Sequence, residues 1–221
     1  MRSPEDEPLP PGAESSSIRR LKDSLRREVI ALRESTSAGL RADWSAAARA
    51  RIATLQCWSE ARTVALFAAI RGEVDLVPLV PEALARGKRV VFPRTDRAGR
   101  TLAFHAVASA GDLLPGTFDV PEPPADPGSR VALSGIDLLL VPGVAFDTRG
   151  CRLGFGGGFY DRLLGSAPGV GEARPLAAGV AFECQVLEEV PTEPTDRRVD
   201  ALVTQARSIW CDENGNRDRI L

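Results

Sequence analysis

Five glycines fall within nine positions, at Gly150, Gly154, Gly156, Gly157 and Gly158, inside the stretch VPGVAFDTRGCRLGFGGGFYDRLL that runs from Val141 to Leu164. A segment so bare of side chains adds little to a core. Its main-chain N–H groups can instead converge on an oxyanion, and a following helix start adds partial positive charge, so the chemistry indicated is the binding of a phosphate-bearing ligand. Two familiar phosphate loops are excluded. Walker A needs GxxxxGK[ST], but Gly158 is followed by Phe159 and the loop holds no lysine. The dinucleotide fingerprint GxGxxG fails because Phe159 stands where the third glycine belongs. Arg152 is the one cation in the core of the loop. Further neutralisation has to come from Lys22, Arg26 or a divalent metal, and Asp161, just past Phe159 and Tyr160, is placed to hold that metal. A tight surface turn is the ordinary reading of glycines alone. An arginine, two aromatics and an aspartate on a strand–loop–helix frame favour a ligand site.

The elements that must position these groups read as α/β. Ser17 is a plausible N-cap for a helix whose Ile18, Leu21, Leu25, Val29 and Leu32 recur at helical spacing, with Lys22 and Arg26 on one side. Asp43–Trp58 reads as a second helix, Thr63–Ile70 as a buried strand, and the segment 76–87 as a helix ending at Gly87. Two strands, KRVVFP and TLAFHAV, flank the turn RTDRAGR, and Asp119–Ser129 is a proline-rich surface loop. Ile136–Phe146 is nearly all apolar, as expected of a central strand covered on both faces. PLAAGVAF and ALVT are further strands, with CQVLEEV a short helix between them. Strands alternating with helices imply a mostly parallel sheet flanked by helices, with the ligand crevice past the strands' carboxyl ends. The expected organisation is a disordered acidic tail over residues 1–17 and a single α/β domain over 18–221.

Composition narrows the function classes. The balance of 28 Lys+Arg against 30 Asp+Glu argues against a nucleic-acid protein. Charge is uneven, acidic over residues 1–17 and basic from there to Arg62, which suits a local anionic ligand. Cys57, Cys151, Cys184 and Cys211 form no CxxC pair and read as reduced thiols, and a zinc site is disfavoured by the single histidine, His105. That histidine, inside an apolar strand, reads as structural. No apolar stretch reaches ~18 residues, and the amino terminus lacks the apolar core of a signal peptide. The expectation is a cytoplasmic monomer acting on a small molecule, with neither nucleic acid nor membrane as partner.

The glycine segment resembles the signature of the 5-formyltetrahydrofolate cyclo-ligase family, and the likeness extends over nearly all the chain after Ser17. KDSLR (Lys22–Arg26), VALFAAIRGEV with Glu73, VVFPR, GTFDVPEP and PTDRRVDALVT follow the family's order. The resemblance implies an enzyme that uses ATP and Mg2+ to close 5-formyltetrahydrofolate into 5,10-methenyltetrahydrofolate, releasing ADP and phosphate. It also implies a sandwich fold like those of ribose-phosphate isomerases and CoA transferases. On the same footing, ATP contacts fall on Lys22, Arg26, Arg152, Leu153, Gly154, Phe155, Gly156, Gly157, Gly158, Phe159 and Tyr160, with Arg152 and Lys22 the catalytic cations. Magnesium falls to Asp161 and Asp196, and the reduced folate to Glu73, Phe118, Phe155 and Phe159. One departure concerns Phe155, where members carry a basic residue or tyrosine. It lacks a hydroxyl or charge but can still line or stack on a pterin.

Each assignment has a plainer alternative. Lys22 and Arg26 could be a solvated helix face, Glu73 and Asp161 acids at helix starts, and Phe159 or Tyr160 core. Asp196, two residues past Pro194, reads equally as a turn residue. Two other functions compete: a relative acting on another substrate, and a non-catalytic nucleotide- or folate-binding homologue. The second has no use for a metal aspartate.

Overall fold

The computed structural model describes residues 13–166 and 174–211 of the 221. Five helices occur among them: α1 (Ala13–Ser35), α2 (Ala38–Thr54), α3 (Gln56–Glu60), α4 (Leu79–Ala85) and α5 (Phe159–Gly165). The strands are β1 (Thr63–Ala65), β2 (Arg89–Asp96), β3 (Thr101–Val107), β4 (Leu114–Pro115), β5 (Pro121–Glu122), β6 (Arg130–Val131), β7 (Leu138–Val141), β8 (Ala145–Asp147), β9 (Arg152–Leu153), β10 (Leu176–Val180), β11 (Val186–Leu187), β12 (Ala201–Val203) and β13 (Ser208–Trp210).

Eight strands form one sheet in the order β13-β12-β10-β7-β1-β2-β3-β6. The five from β12 to β2 are parallel, with antiparallel strands added at both edges. This is the mostly parallel, helix-flanked sheet the sequence implies. Every residue of β7 is buried, and its side chains alternate between two cores. Leu138 and Leu140 join Trp58, Ile52, Leu66, Val80 and Phe92 on one face, while Leu139 and Val141 join Val91, Phe146 and Leu202 on the other. A three-stranded sheet, β11-β8-β9, stands apart and carries the glycine loop. It packs against Val29 and Ile30 of α1 through Val144, Ala145, Cys151, Leu153 and Val190.

Several elements differ from expectation, each for a physical reason. Ser17 lies inside α1 rather than at its N-cap. The helix also presents another face: Leu21 and Leu32 are half exposed, whereas Lys22 and Arg33 are buried with Val29 and Ile30. The inward stripe therefore runs through Lys22, Arg26, Val29, Ile30 and Arg33, and apolar periodicity alone misplaces it because three members are cations. The second helix breaks at Leu55, which turns extended to bury its side chain and separates α2 from α3. The run Ile136–Phe146 is two strands. Pro142 has no N–H to donate, and after Gly143 the chain leaves the large sheet for β8. Hydrogen-bonded pairing along Thr63–Ile70 covers β1 and the next N–H, that of Leu66, which donates to the Val91 carbonyl at 2.9 Å. The expected helix CQVLEEV is instead a 3-10 turn, Glu183–Gln185, followed by β11 beside β8. Tertiary bonding overrides helix propensity there, because the buried Gln185 amide donates to the carbonyls of Gly143 (3.0 Å) and Val144 (2.8 Å). The proline-rich segment contains β5, whose buried Glu122 accepts from the Thr95 N–H at 3.0 Å.

Gly150 closes the turn between β8 and β9 at φ +82°, where an added Cβ would strike the Val199 carbonyl oxygen. Its own carbonyl accepts from the Val199 N–H at 2.9 Å. Gly150→Ala is expected to lose more than about 2 kcal/mol. The check is the denaturant midpoint, which should fall with the slope unchanged.

Candidate active site

The parallel strands β7 and β1 and the adjoining small sheet bring α1, the glycine loop, α5 and the 193–197 turn together. Arg152 lies on β9, 6% exposed. Its Nη2 pairs with Asp161 Oδ2 at 2.8 Å, its Nη1 reaches the Pro142 carbonyl at 3.4 Å, and its Nε is buried with no hydrogen-bond partner. The guanidinium also lies 5.6 Å from the Tyr160 ring centre. The other oxygen of Asp161, Oδ1, accepts from the Arg197 main-chain N–H at 3.3 Å.

From α1, Lys22 enters the same network. Its Nζ donates to Glu193 Oε2 at 2.9 Å and Asp196 Oδ2 at 2.5 Å. Arg26 Nε donates to the Gly154 carbonyl at 2.8 Å, and its Nη1 pairs with Asp23 at 2.6 Å. Both cations thus leave solvent to meet the loop and its neighbouring turn. The Lys22 ammonium, hydrogen-bonded to Glu193, holds that carboxyl below the usual carboxylate range. A polar cavity of about 170 Å3 lies among Cys151, Arg152, Glu193, Asp196 and Arg197.

The loop is shaped by left-handed glycines, Gly156 at φ +97° and Gly158 at φ +66°, the latter at the N-cap of α5. A β-carbon at Gly157 would meet the Phe159 ring at 2.7 Å. Leu153 keeps its side chain in the core, so only its main chain is available to a ligand. Phe155 is 39% exposed, and Phe118 is exposed at the left-handed φ of +60°. Phe118 meets Phe159 edge-on at 6.2 Å, with Arg97 4.6 Å from its ring centre and Arg162 5.5 Å from that of Phe159.

Glu73 sits behind this rim and is buried. Its Oε2 accepts from the Ile70 N–H at 3.2 Å, while Oε1 has no partner. Burial pushes its carboxyl up to about 7, against the opposing pull of Arg33, the Ile70 N–H and Arg152. Burial, helped by the Glu73 charge, raises the Tyr160 phenol as well.

Every residue expected at the site is thus placed around the loop, with Phe118 joined to it only through Phe159. Sequence reasoning missed Glu193, Arg197, Arg162 and Arg33. Arg162 braces the loop by donating to the Gly157 carbonyl at 2.6 Å and, through Nε, to that of Arg100 at 2.7 Å. Arg33 was legible as a cation eleven positions after Lys22, three helical turns along the same stripe. The two arginines and Glu193 carry no such motif-level signal beyond their proximity to the loop and to Asp196.

The mostly parallel sheet and its small neighbour thus bring an arginine–aspartate pair and a bare main-chain loop to one mouth. The 5-formyltetrahydrofolate cyclo-ligase family model matches residues 18–205, and the chain belongs to that family of ligases. The cyclo-ligase of Escherichia coli K12 is 37% identical over 152 residues, covering 68% of this chain and 81% of its own. That of Mycolicibacterium smegmatis is 31% identical over 193 residues, covering 86% and 96%. Among solved structures, the 5,10-methenyltetrahydrofolate synthetase of Aquifex aeolicus superposes with a TM-score of 0.75 at 36% identity, covering 91% of this chain and 96% of that one. No helix among the described residues is long and apolar enough to cross a membrane.

The weakened acidity of Glu73 has a consequence for stability. The folded protein keeps this proton up to about pH 7, whereas an unfolded glutamate releases it near ~4.3. Stability is therefore lost as pH rises between those values and levels off above them. The contribution is at most about 4 kcal/mol. Denaturant unfolding at pH 5 and pH 8 should show Glu73→Gln gaining on the parent at the higher pH. Parallel pH dependence in the two proteins would contradict the assignment.

Proposed function

We propose that the chain catalyses the ATP- and Mg2+-dependent cyclisation of 5-formyltetrahydrofolate to 5,10-methenyltetrahydrofolate, with release of ADP and phosphate. The observation that carries this reading is the convergence of two buried or half-buried α1 cations, Lys22 and Arg26, on the glycine loop and its flanking carboxylates. Solvated surface charges would have no reason to make those contacts.

A formamide is a poor electrophile, because nitrogen donates into its carbonyl. Closure by N10 would also have to expel oxide. Transfer of the γ-phosphoryl to the formyl oxygen gives an iminium-like carbon for N10 to attack, and the oxygen then departs as phosphate. The protein has mainly to position two ligands and balance moving charge. In this reading the main-chain N–H groups of Gly154–Gly158 and the side chains of Arg152, Lys22 and Arg26 meet the phosphates. The unpartnered buried Nε of Arg152 supports a ligand there, since such donors are seldom left unsatisfied. The cavity beside Arg152 is smaller than the ~300–1,000 Å3 of ordinary ligand pockets. It suits a phosphate-sized group, leaving the rest of the nucleotide over the exposed loop, with Tyr160 beside Arg152.

Magnesium is compatible with these residues. The described residues contain no cluster of three or more His, Cys, Asp or Glu able to hold a metal. Nucleotide-bound magnesium needs only one or two carboxylates beside the phosphates, and Asp161 and Asp196 offer hard oxygen donors. When bound there, the ion supplies charge neutralisation at the phosphoryl group. Phe155, Phe159 and Phe118 provide the aromatic wall, and Glu73 the polar end, of the folate site.

The test is methenyl absorbance in an assay containing ATP, magnesium and 5-formyltetrahydrofolate. Absorbance should grow only with all three present. Turnover confined to another formyl substrate, or binding without turnover, would replace this reading with one of its competitors. Arg152→Ala and Asp161→Ala should each lower kcat by about a hundredfold or more with the fold intact. Near-parental rates in either would discard the map. Lys22→Ala should act chiefly on the KM for ATP.

A further inference from the structure

Arg33 is fully buried at the end of the inward stripe of α1. Its Nε donates to the Arg71 carbonyl at 2.9 Å, in a turn whose Arg71 and Gly72 both take left-handed φ, +48° and +75°. Both Nη atoms are buried and unpartnered. Glu73, one residue beyond that turn, likewise leaves Oε1 unpartnered, and the two groups are close enough for each to shift the other's ionisation. They do not hydrogen-bond to each other. The ring of Phe155, on the glycine loop, lies 5.9 Å from the guanidinium carbon.

Leaving a guanidinium fork and a carboxylate oxygen buried and unmatched is costly. An apolar pair of similar size would ordinarily serve the fold as well or better. Direct closure of the pair would have removed the cost, yet the Nε anchor on the Arg71 carbonyl holds the fork in place. The unmatched set consists of donors from Arg33 and an acceptor from Glu73, beside an aromatic face. Its complement is a flat ring edge with a carbonyl oxygen next to N–H groups.

We propose that Arg33 is a substrate-specificity residue, whose Nη donors read the ring carbonyl of the pterin while Glu73 takes the adjacent ring N–H groups. This rests on the folate reading above and adds to it a contact from α1. Phe155 closes over the ring from the loop side, so Lys22, Arg26 and Arg33 on one helix face meet both ligands. A ring bearing an amino group in place of the 4-carbonyl turns a donor toward a donor and is rejected, as sites built around a hydrogen bond reject analogues lacking it.

The experiment measures steady-state KM for 5-formyltetrahydrofolate and for ATP. It also measures the inhibition constant of the same folate with a 4-amino group, in the parent, Arg33→Met and Arg33→Lys, with thermal melts of each. The parent should favour the 4-oxo ring by about tenfold or more, the worth of one charge-assisted bond. In Arg33→Met that preference should vanish and the folate KM rise about tenfold or more, with the ATP KM within about twofold. Arg33→Lys keeps the charge without the fork and should lose most of the preference. It stands in as the deciding variant should the melt show Arg33→Met unfolded. An unchanged 4-oxo preference in a folded variant overturns the role of Arg33 and leaves the folate reading intact. A parent protein that neither binds nor converts the 4-oxo folate overturns that reading and this inference with it.

Discussion

A helix that turns three cations inward has to find them partners. Lys22 meets Glu193 and Asp196, Arg26 meets the Gly154 carbonyl, and Arg33 meets the Arg71 carbonyl. Buried charge without such partners would be strongly destabilising. These contacts fix α1 against the glycine loop, the 193–197 turn and the Arg71–Glu73 turn at once. Three chain segments remote in sequence are held in register by one helix. The apolar contribution from Val29 and Ile30 seats the helix on the small sheet, and the polar bonds decide its rotation.

That arrangement suits chemistry done by position and charge. The loop offers main chain rather than side chains, and Arg152 is held by Asp161 in a nearly dry setting. Some satisfaction is withheld: Arg152 Nε, Arg33 Nη1 and Nη2, and Glu73 Oε1 are all buried without partners. They come from three segments, α1, β9 and the Arg71–Glu73 turn, and in the proposed reading a bound ligand supplies their missing partners. The weakened acidity of Glu73 belongs to the same setting, since a dry pocket that strengthens contacts to a ligand also penalises an unmatched carboxylate.

Much of this was legible in the sequence. The long apolar run through Leu138–Val141 marks a strand covered on both faces, and the glycines mark the loop it feeds. Residues with an unusual type for their place, such as Arg152 and Asp161 beside bare backbone, also show themselves. What stayed hidden depends on tertiary demand. The rotation of α1 could not be read from apolar spacing, because its inward face includes Lys22, Arg26 and Arg33. The segment after Cys184 has helical composition, yet the buried Gln185 amide needs the Gly143 and Val144 carbonyls and draws the chain into a strand. Neither the break at Pro142 nor the bend at Leu55 changes the fold class. The break at Pro142 bears on the site, because it leaves the Pro142 carbonyl 3.4 Å from Arg152 Nη1.

The central claim is that main chain between Gly154 and Gly158, flanked by Arg152 and Asp161, receives a triphosphate. The most direct measurement is a crystal structure of the protein with magnesium and a non-hydrolysable ATP analogue. The account predicts phosphate oxygens within hydrogen-bonding distance of those N–H groups and of Arg152, with the metal on Asp161. A triphosphate held at a distant surface, with the loop vacant, would contradict it.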